Sequence, residues 1–325
     1  MTFFANFASL RLIAVFGLAA YPLIADAQNY PTRPVRLIVP FPAGGSNDIV
    51  GRVVAAGLSD RLGKQVIADN RVGGNSIIGS ELVATALPDG YTLLVISTSF
   101  TTNPIIHKLP YDPLKSFDWV AMLGVGPNVM AVTTSLPAKT LQELIALAKA
   151  KPGQLTYAST GVGSNAHFGT ELFKHMTGTN MLHVPYKGGP PALLDTVTGQ
   201  AQLCLSSLIQ AIGFIRTNRL RALATSGGKR SAILPDVPTI SEAGVPGYET
   251  QNWWGVAAPR GTPAEIVRRL NEEINAVLML PDTGKRLVSE GAEPAVKTPD
   301  ELGKYVAAEM AKWVQVARIA GIKGE

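Results

Sequence analysis

Along residues 35–97, short runs of apolar side chains alternate with stretches whose apolar positions recur at helical spacing, a pattern that predicts strands and helices in rotation. Residues 36–41 read as a strand, 48–62 as a helix with Val50, Val53, Val54 and Leu58 on one face, and 64–70 as a second strand. A helix over 77–86 and a strand over 92–97 follow. Strands separated by helices pair in parallel through right-handed crossovers, so this segment is expected to form a doubly wound α/β half.

The rotation restarts after Lys139. Helices are expected over 141–151, 165–176, 191–198 and 209–218, and strands over 155–159, 181–184, 202–206 and 221–226. Pro152-Gly153 punctuates the first unit and Gly178 closes the second helix. Beyond a turn-rich stretch at 235–247 come an aromatic strand over 252–257 and three helices over 263–279, 283–290 and 299–319. Three helices without strands of their own must cover a sheet built elsewhere. Most of them are assigned to the first half, giving a discontinuous domain of residues 28–126 plus 250–325, a second domain of 127–249, and connections near 126–133 and 247–255.

Residues 1–27 stand apart from this pattern. Arg11, an apolar run over 12–24 and the small-residue triplet Ala25-Asp26-Ala27 follow the order of a cleavable secretory leader, so cleavage after Ala27 and a periplasmic product are expected. The competing reading of the segment is a membrane anchor or a buried first helix, but the apolar run is short and broken by Pro22. Elsewhere each apolar run meets a charge, Gly or Pro within a few residues.

Of the 325 residues, 46% are hydrophobic and 16% charged, the composition of a folded globular protein. The chain carries 29 Lys+Arg and 24 Asp+Glu; the leader removes Arg11 and Asp26, one of each sign, and the net charge stays +5. The basic residues are scattered, apart from pairs such as Lys229-Arg230 and Arg268-Arg269, so nucleic acid is not an expected partner. The single Cys204, flanked by Leu203 and Leu205, cannot form an internal disulfide and reads as a packing residue.

Two strand-to-helix junctions carry the candidate chemistry. In the first, Phe41 to Asp48 (FPAGGSND), Ala43, Gly44 and Gly45 let a backbone pass close to a ligand, and Ser46 or Asn47 can cap the helix. Asp48 reads either as a favourable charge at the helix start or as a partner for a ligand's ammonium group. In the second (STGVGSNAH), Ser159, Thr160, Ser164 and Asn165 surround Gly161 and Gly163, with His167 the one titratable group. A helix N-terminus offers unpaired N–H groups and a positive dipole end, so each junction is an anion site in waiting, though each also reads as a mere tight turn. Ligands of open α/β sheets lie beyond the carboxyl ends of the strands, which sets the two junctions face to face across a cleft.

Ser97 and Thr98, with Ser99, Thr101 and Thr102, make a third hydroxyl-rich strand end. Tyr186-Lys187 follows another strand, and of Trp253 and Trp254 one is assigned to the core and the other to a cleft wall. No nucleotide-binding glycine fingerprint and no G-x-S-x-G elbow is present. His167, Glu171 and His175 share a helix face over about two turns, too long a stripe to converge on one ion, so no metal and no cofactor is expected.

The phrases VRLIVPFPAGGSNDIVGRVVA, NRVGGNSIIG, LPDGYTLL, KLPYDPLKSF, KPGQLTYASTGVGSNAH, HVPYKG, LRALATSGGKRSAILPDVPTISEAGVPGYE and AKWVQVARIAGIK, in this order over essentially the whole mature chain, resemble the substrate-binding receptors of tripartite tricarboxylate transporters, the Bug family. The resemblance implies a periplasmic binding protein of the type II-like architecture, two α/β domains joined by a hinge, that closes on a small carboxylate and delivers it to membrane permease subunits. By position it adds Ser97, Thr98, Tyr186 and Trp253 to the cleft. Where relatives often carry Asp-Asn, this chain has Ser206-Ser207, which weakens the case for an amino acid and favours a plain dicarboxylate or aromatic carboxylate. The expectation is a monomeric receptor without catalytic residues. Its rivals are an exported α/β enzyme using His167 or Asp48 as base, and the sensing subunit of a signalling system.

Overall fold

The computed structural model describes residues 30–324; the expected leader lies outside them. Strand β1 (Val35–Val39) lies between β2 (Val66–Asn70) and β3 (Thr92–Ser97), all parallel. Helices α1 (Ser46–Leu62) and α2 (Ile77–Ala84) make the crossovers, as the apolar periodicity requires. Helix α3 (Thr98–Ile106) follows β3 without a loop, where the hydroxyl-rich run had read as a strand end.

Strand β4 (Phe117–Thr133) runs through the centre of the molecule. Its first part pairs antiparallel with β9 (Gln251–Pro259), down to Pro127 opposite Gln251. From Asn128 onward it pairs instead with β7 (Leu203–Ser207) and β8 (Leu220–Thr225). Beyond β7 come β5 (Thr156–Ser159) and β6 (Leu182–Pro185), parallel to one another. The order β2-β1-β3-β9-β4-β7-β5-β6 therefore contains two parallel trios back to back, each closed by an antiparallel strand. Sequence pattern foresaw only a connection around 126–133. Close approach explains the glycines in this strand: a Cβ on Gly124 would sit 2.7 Å from the Glu293 carbonyl in the short strand β10 (Glu293–Pro294).

In the second half, α4 (Leu141–Ala150), α5 (Asn165–Thr177), α6 (Gly189–Thr198) and α7 (Leu208–Arg216) cover both faces of the sheet. On the first half, α1 packs with α8 (Ala264–Leu278) and α9 (Pro281–Glu290) around Leu58, Leu270 and Ile274. On the opposite face, Val83 and Phe100 meet Val306 of α10 (Pro299–Ala320). Helix α10 starts at a capping box, in which Thr298 accepts from the Glu301 N–H and Glu301 accepts from the Thr298 N–H. Its first turns bury Leu302 and Val306 against the first half, while Trp313 and Val316 join the second core, with Trp313 edge-on to Phe168 at 5.7 Å. The last helix thus spans both halves. Among the described residues no helix is long and apolar enough to cross a membrane.

Candidate functional site

Strands β1, β3, β5, β6 and β7 end toward the same gap, and each hands the chain to a helix there, α1, α3, α5, α6 and α7 respectively. All five N-terminal segments line one inner chamber: Gly45, Ser46 and Asn47 from α1, Ser97 and Thr98 from α3, Asn165 from α5, Gly189 from α6, and Ser207 and Gln210 from α7. Each helix start carries roughly half a positive charge and N–H groups without an intrahelical partner, several of them except in α6, where Pro190 and Pro191 carry none. Only α5 has a side-chain cap, Ser164, which accepts from the His167 N–H; the starts of α1, α3, α6 and α7 have none. Their donors remain free for a ligand.

Buried polar atoms point the same way. Asn47 Oδ1, Thr98 Oγ1, Ser207 Oγ and Gln210 Oε1 are buried without a hydrogen-bond partner in the protein, and all four residues line this chamber. An unpaired buried polar group costs about 1–3 kcal/mol, so four at one place mark a candidate recognition surface. Among the described residues that line it, none is Asp, Glu, Lys, Arg or His. The positive potential comes from helix ends, not from a cation. At about 40 Å³ the chamber exceeds the ~10–15 Å³ needed by one water and suits a carboxylate head.

The two halves meet around it. Thr102 Oγ1 on α3 donates to the Gly163 carbonyl across the gap, and a Cβ on Gly188 would lie 2.7 Å from the Pro42 ring. Gln210 reaches from α7 to within 3.5 Å of where a Gly45 Cβ would stand. At the crossover of β4 and β9, Asn128 donates to Asn165 Oδ1 and accepts from Asn252 Nδ2, both at 2.5 Å. Residues Asn128, Asn252 and Gln210 line the chamber, yet lie on strands or a helix where nothing local marks them.

Of the residues expected from sequence, Phe41, Gly45, Ser46, Ser97, Thr98 and Thr160 line the inner chamber. Gly161 and Tyr186 border a second, outer chamber. Several others are placed elsewhere. Ala43 and Gly44 are exposed, and Gly44 is left-handed at φ +77° with its N–H on Asp48. Asp48 is turned away from the chamber: it accepts from Gly44 N, Arg52 Nε and Asn70 Nδ2 at 2.8–2.9 Å. Burial alone would raise its pKa, but these bonds outweigh it and hold the carboxyl below its usual value. All three bonds run to the protein and none toward the inner chamber. Ser159 bonds His183, Ser164 caps α5, and Gly163 is held by Thr102. Ser206 faces a small cavity beside Cys204, opposite to Ser207 on the same strand. Trp253, expected at the cleft, is fully buried against Tyr305 in the core, and Trp254, one step along β9, walls the chamber.

His167 is also not a lining residue. Its Nδ1 accepts from the Gly163 N–H, and its ring stacks on His183 at 4.3 Å, which stacks in turn on Tyr157 at 4.8 Å. Burial lowers the pKa of both imidazoles, and for His183, with His167 and Lys174 adding to it, down to about 3. The folded protein therefore binds fewer protons than the unfolded chain between about pH 3 and 6.5, and stability falls as pH drops through that window. Melting temperature measured against pH should show this decline, and His183→Gln should make it shallower; equal slopes would remove the histidine stack as the cause.

Residues 50–322 match a family described as tripartite tricarboxylate transporter family receptor. The chain is 38% identical over 322 residues to the protein BugT of Bordetella pertussis, covering 96% of this chain and 98% of that one. Among solved structures, R. palustris Rpa4515 with adipate is 40% identical with a TM-score of 0.90, covering 91% of this chain and all of that one. MatC of Rhodopseudomonas palustris with bound malate is 32% identical with a TM-score of 0.83, covering 88% of this chain and 99% of the other.

Proposed function

Because the chain belongs to the tripartite tricarboxylate transporter receptor family, we propose that it is the exported receptor that captures a small carboxylate between its two halves and presents it to membrane permease subunits. The observation that carries this reading is the convergence of five helix N-termini and four unpartnered polar atoms on a chamber without charged side chains. An anion is the ligand such a site stabilises. The adipate and malate held by two similar proteins support a carboxylate. Amino acids are disfavoured, since Asp48 is already bound by Gly44, Arg52 and Asn70.

The working unit in this reading is a monomer of residues 28–325, with domains of 28–126 plus 250–325 and of 127–249 that open and close about the β4–β9 crossover. Ligand bound by both halves favours the closed form and shifts the population toward it. The receptor family to which the chain belongs supports binding rather than turnover. N-terminal sequencing of the exported protein should begin at Gln28.

A thermal-shift screen against mono-, di- and aromatic carboxylates, amino acids and sugars tests the reading, because ligand binding to the native state raises the melting temperature by mass action. Carboxylates should give the shifts, and recovered ligand should be chemically unchanged. Shifts confined to sugars or amines would overturn the anion site, and appearance of product would turn the receptor into an enzyme.

A further inference from the structure

The loop 159–164, which brings Thr160 to the inner chamber, is held by two histidines that do not line it. His167 Nδ1 accepts from the Gly163 N–H at 3.2 Å. His183 Nε2 bonds Ser159 Oγ at 2.6 Å, and Ser159 Oγ accepts in turn from the Gly161 N–H. Gly163 also takes part in a bond between the halves, its carbonyl accepting from Thr102 Oγ1 of α3. One glycine is thus tied through its N–H to an imidazole of its own half and through its carbonyl to the other half.

The two histidine contacts answer a proton differently. A bare imidazole nitrogen accepts a hydrogen bond and a protonated one only donates, so a proton on His167 Nδ1 turns its contact with the Gly163 N–H into a repulsion. Ser159 escapes this conflict: its hydroxyl donates to a neutral His183 and accepts from a charged one, its own proton then turning to the Gly161 carbonyl at 3.2 Å.

The surroundings of His167 resist charge. On its own helix stand Glu171 and Lys174, bonded to each other at 2.7 Å, and the exposed His175 beyond them. From β5, Tyr157 donates to Glu171, and β6 supplies His183. Helix α10 brings Glu309 and Lys312, paired with one another beside Trp313, while His107 after α3 and Lys187 after β6 border the outer chamber. Glu171 favours a charged His167 but is shared with Lys174 and Tyr157; burial outweighs it and lowers the pKa of the ring, and the positive start of α5 opposes charge as well.

We propose that His167 is a pH-sensitive latch on closure: neutral, it holds Gly163 where its carbonyl meets Thr102, and protonated, it releases the loop, lets the two halves part and weakens ligand binding. This rests on the receptor reading above. By linkage, a closed form that disfavours the proton gives up affinity as pH falls, and ligand binding in acid expels that proton.

Calorimetric titration with adipate and with malate at about pH 8 and about pH 5.5, on either side of the ordinary histidine range, tests it for the wild type, His167→Asn and Thr102→Val. Asparagine sets an oxygen near the place of Nδ1, so it keeps an acceptor for the Gly163 N–H and takes up no proton. The acids' own titration is common to all three proteins. The readout is therefore the wild-type dissociation constant divided by that of His167→Asn, which should rise by at least about fivefold on acidification. Thr102→Val should bind more weakly at both pH values and lose the same pH dependence. By NMR, the Gly163 amide of the wild type should titrate with the His167 ring. A ratio that does not change with pH, an undiminished pH dependence in Thr102→Val, or a Gly163 amide that ignores the ring overturns the latch and leaves the receptor reading in place. Absence of binding by both acids at both pH values overturns the two together.

Discussion

Gly45→Val is expected to abolish carboxylate binding, with affinity falling by more than about a hundredfold. Gly45 has an ordinary φ of −73°, so the backbone accepts valine; the obstacle is space. Its Cβ would stand 3.0 Å from the Pro42 carbonyl and 3.5 Å from Gln210 Nε2, in contact with two residues that line the chamber, and the branched methyls would have to find room in its 40 Å³. Gly44→Ala is the counterpart. Gly44 is left-handed, and its Cβ would meet nothing within 4 Å, so alanine should cost about 1 kcal/mol of stability and spare binding. Calorimetric titration and thermal melts of both variants separate the effects. Retained affinity in Gly45→Val would reduce the first junction to a turn.

The adjacent tryptophans should separate packing from recognition. Trp253 and Trp254 are both buried, on opposite sides of β9, so alanine at either should destabilise by about 3–5 kcal/mol. Of the two, only Trp254 lines the inner chamber. With the milder Trp254→Phe, carboxylate affinity should drop by about tenfold, whereas Trp253→Phe should leave it unchanged. Denaturant melts and titrations of the four variants give the comparison. Equal loss of affinity at both positions would mean that the chamber wall has been misassigned.

Periodicity made most of the fold legible, because α1, α8 and the parallel strands bury one stripe or one short run and reveal themselves locally. Strand β4 did not, since it is packed on both faces and lacks alternation. Nor did α3. Its Thr101 hydroxyl is satisfied on the Thr98 carbonyl inside the helix and that of Thr102 on the Gly163 carbonyl across the gap, so residues that usually compete with helical hydrogen bonds coexist with them here.

The candidate site was legible at strand-to-helix junctions, at Phe41, Gly45, Ser46, Ser97, Thr98 and Thr160, which line the inner chamber. It was illegible where topology alone assembles it. Asn128, Gln210 and Asn252 come from β4, α7 and the start of β9, and converge only once the sheet order is known. Residues chosen by motif but used for architecture, Asp48, Ser164 and His167, hold the two loops in shape around the chamber.

In the proposed receptor, neutral donors at helix ends, supplied by both halves, hold the acid. A crystal structure of the protein with a bound dicarboxylate tests it most directly. One carboxylate should lie in the inner chamber, within hydrogen-bond reach of Thr98 and Gln210 and of backbone N–H groups at the starts of α1 and α7. A head group paired instead with an arginine, lysine or histidine, or seated outside the chamber, would contradict it.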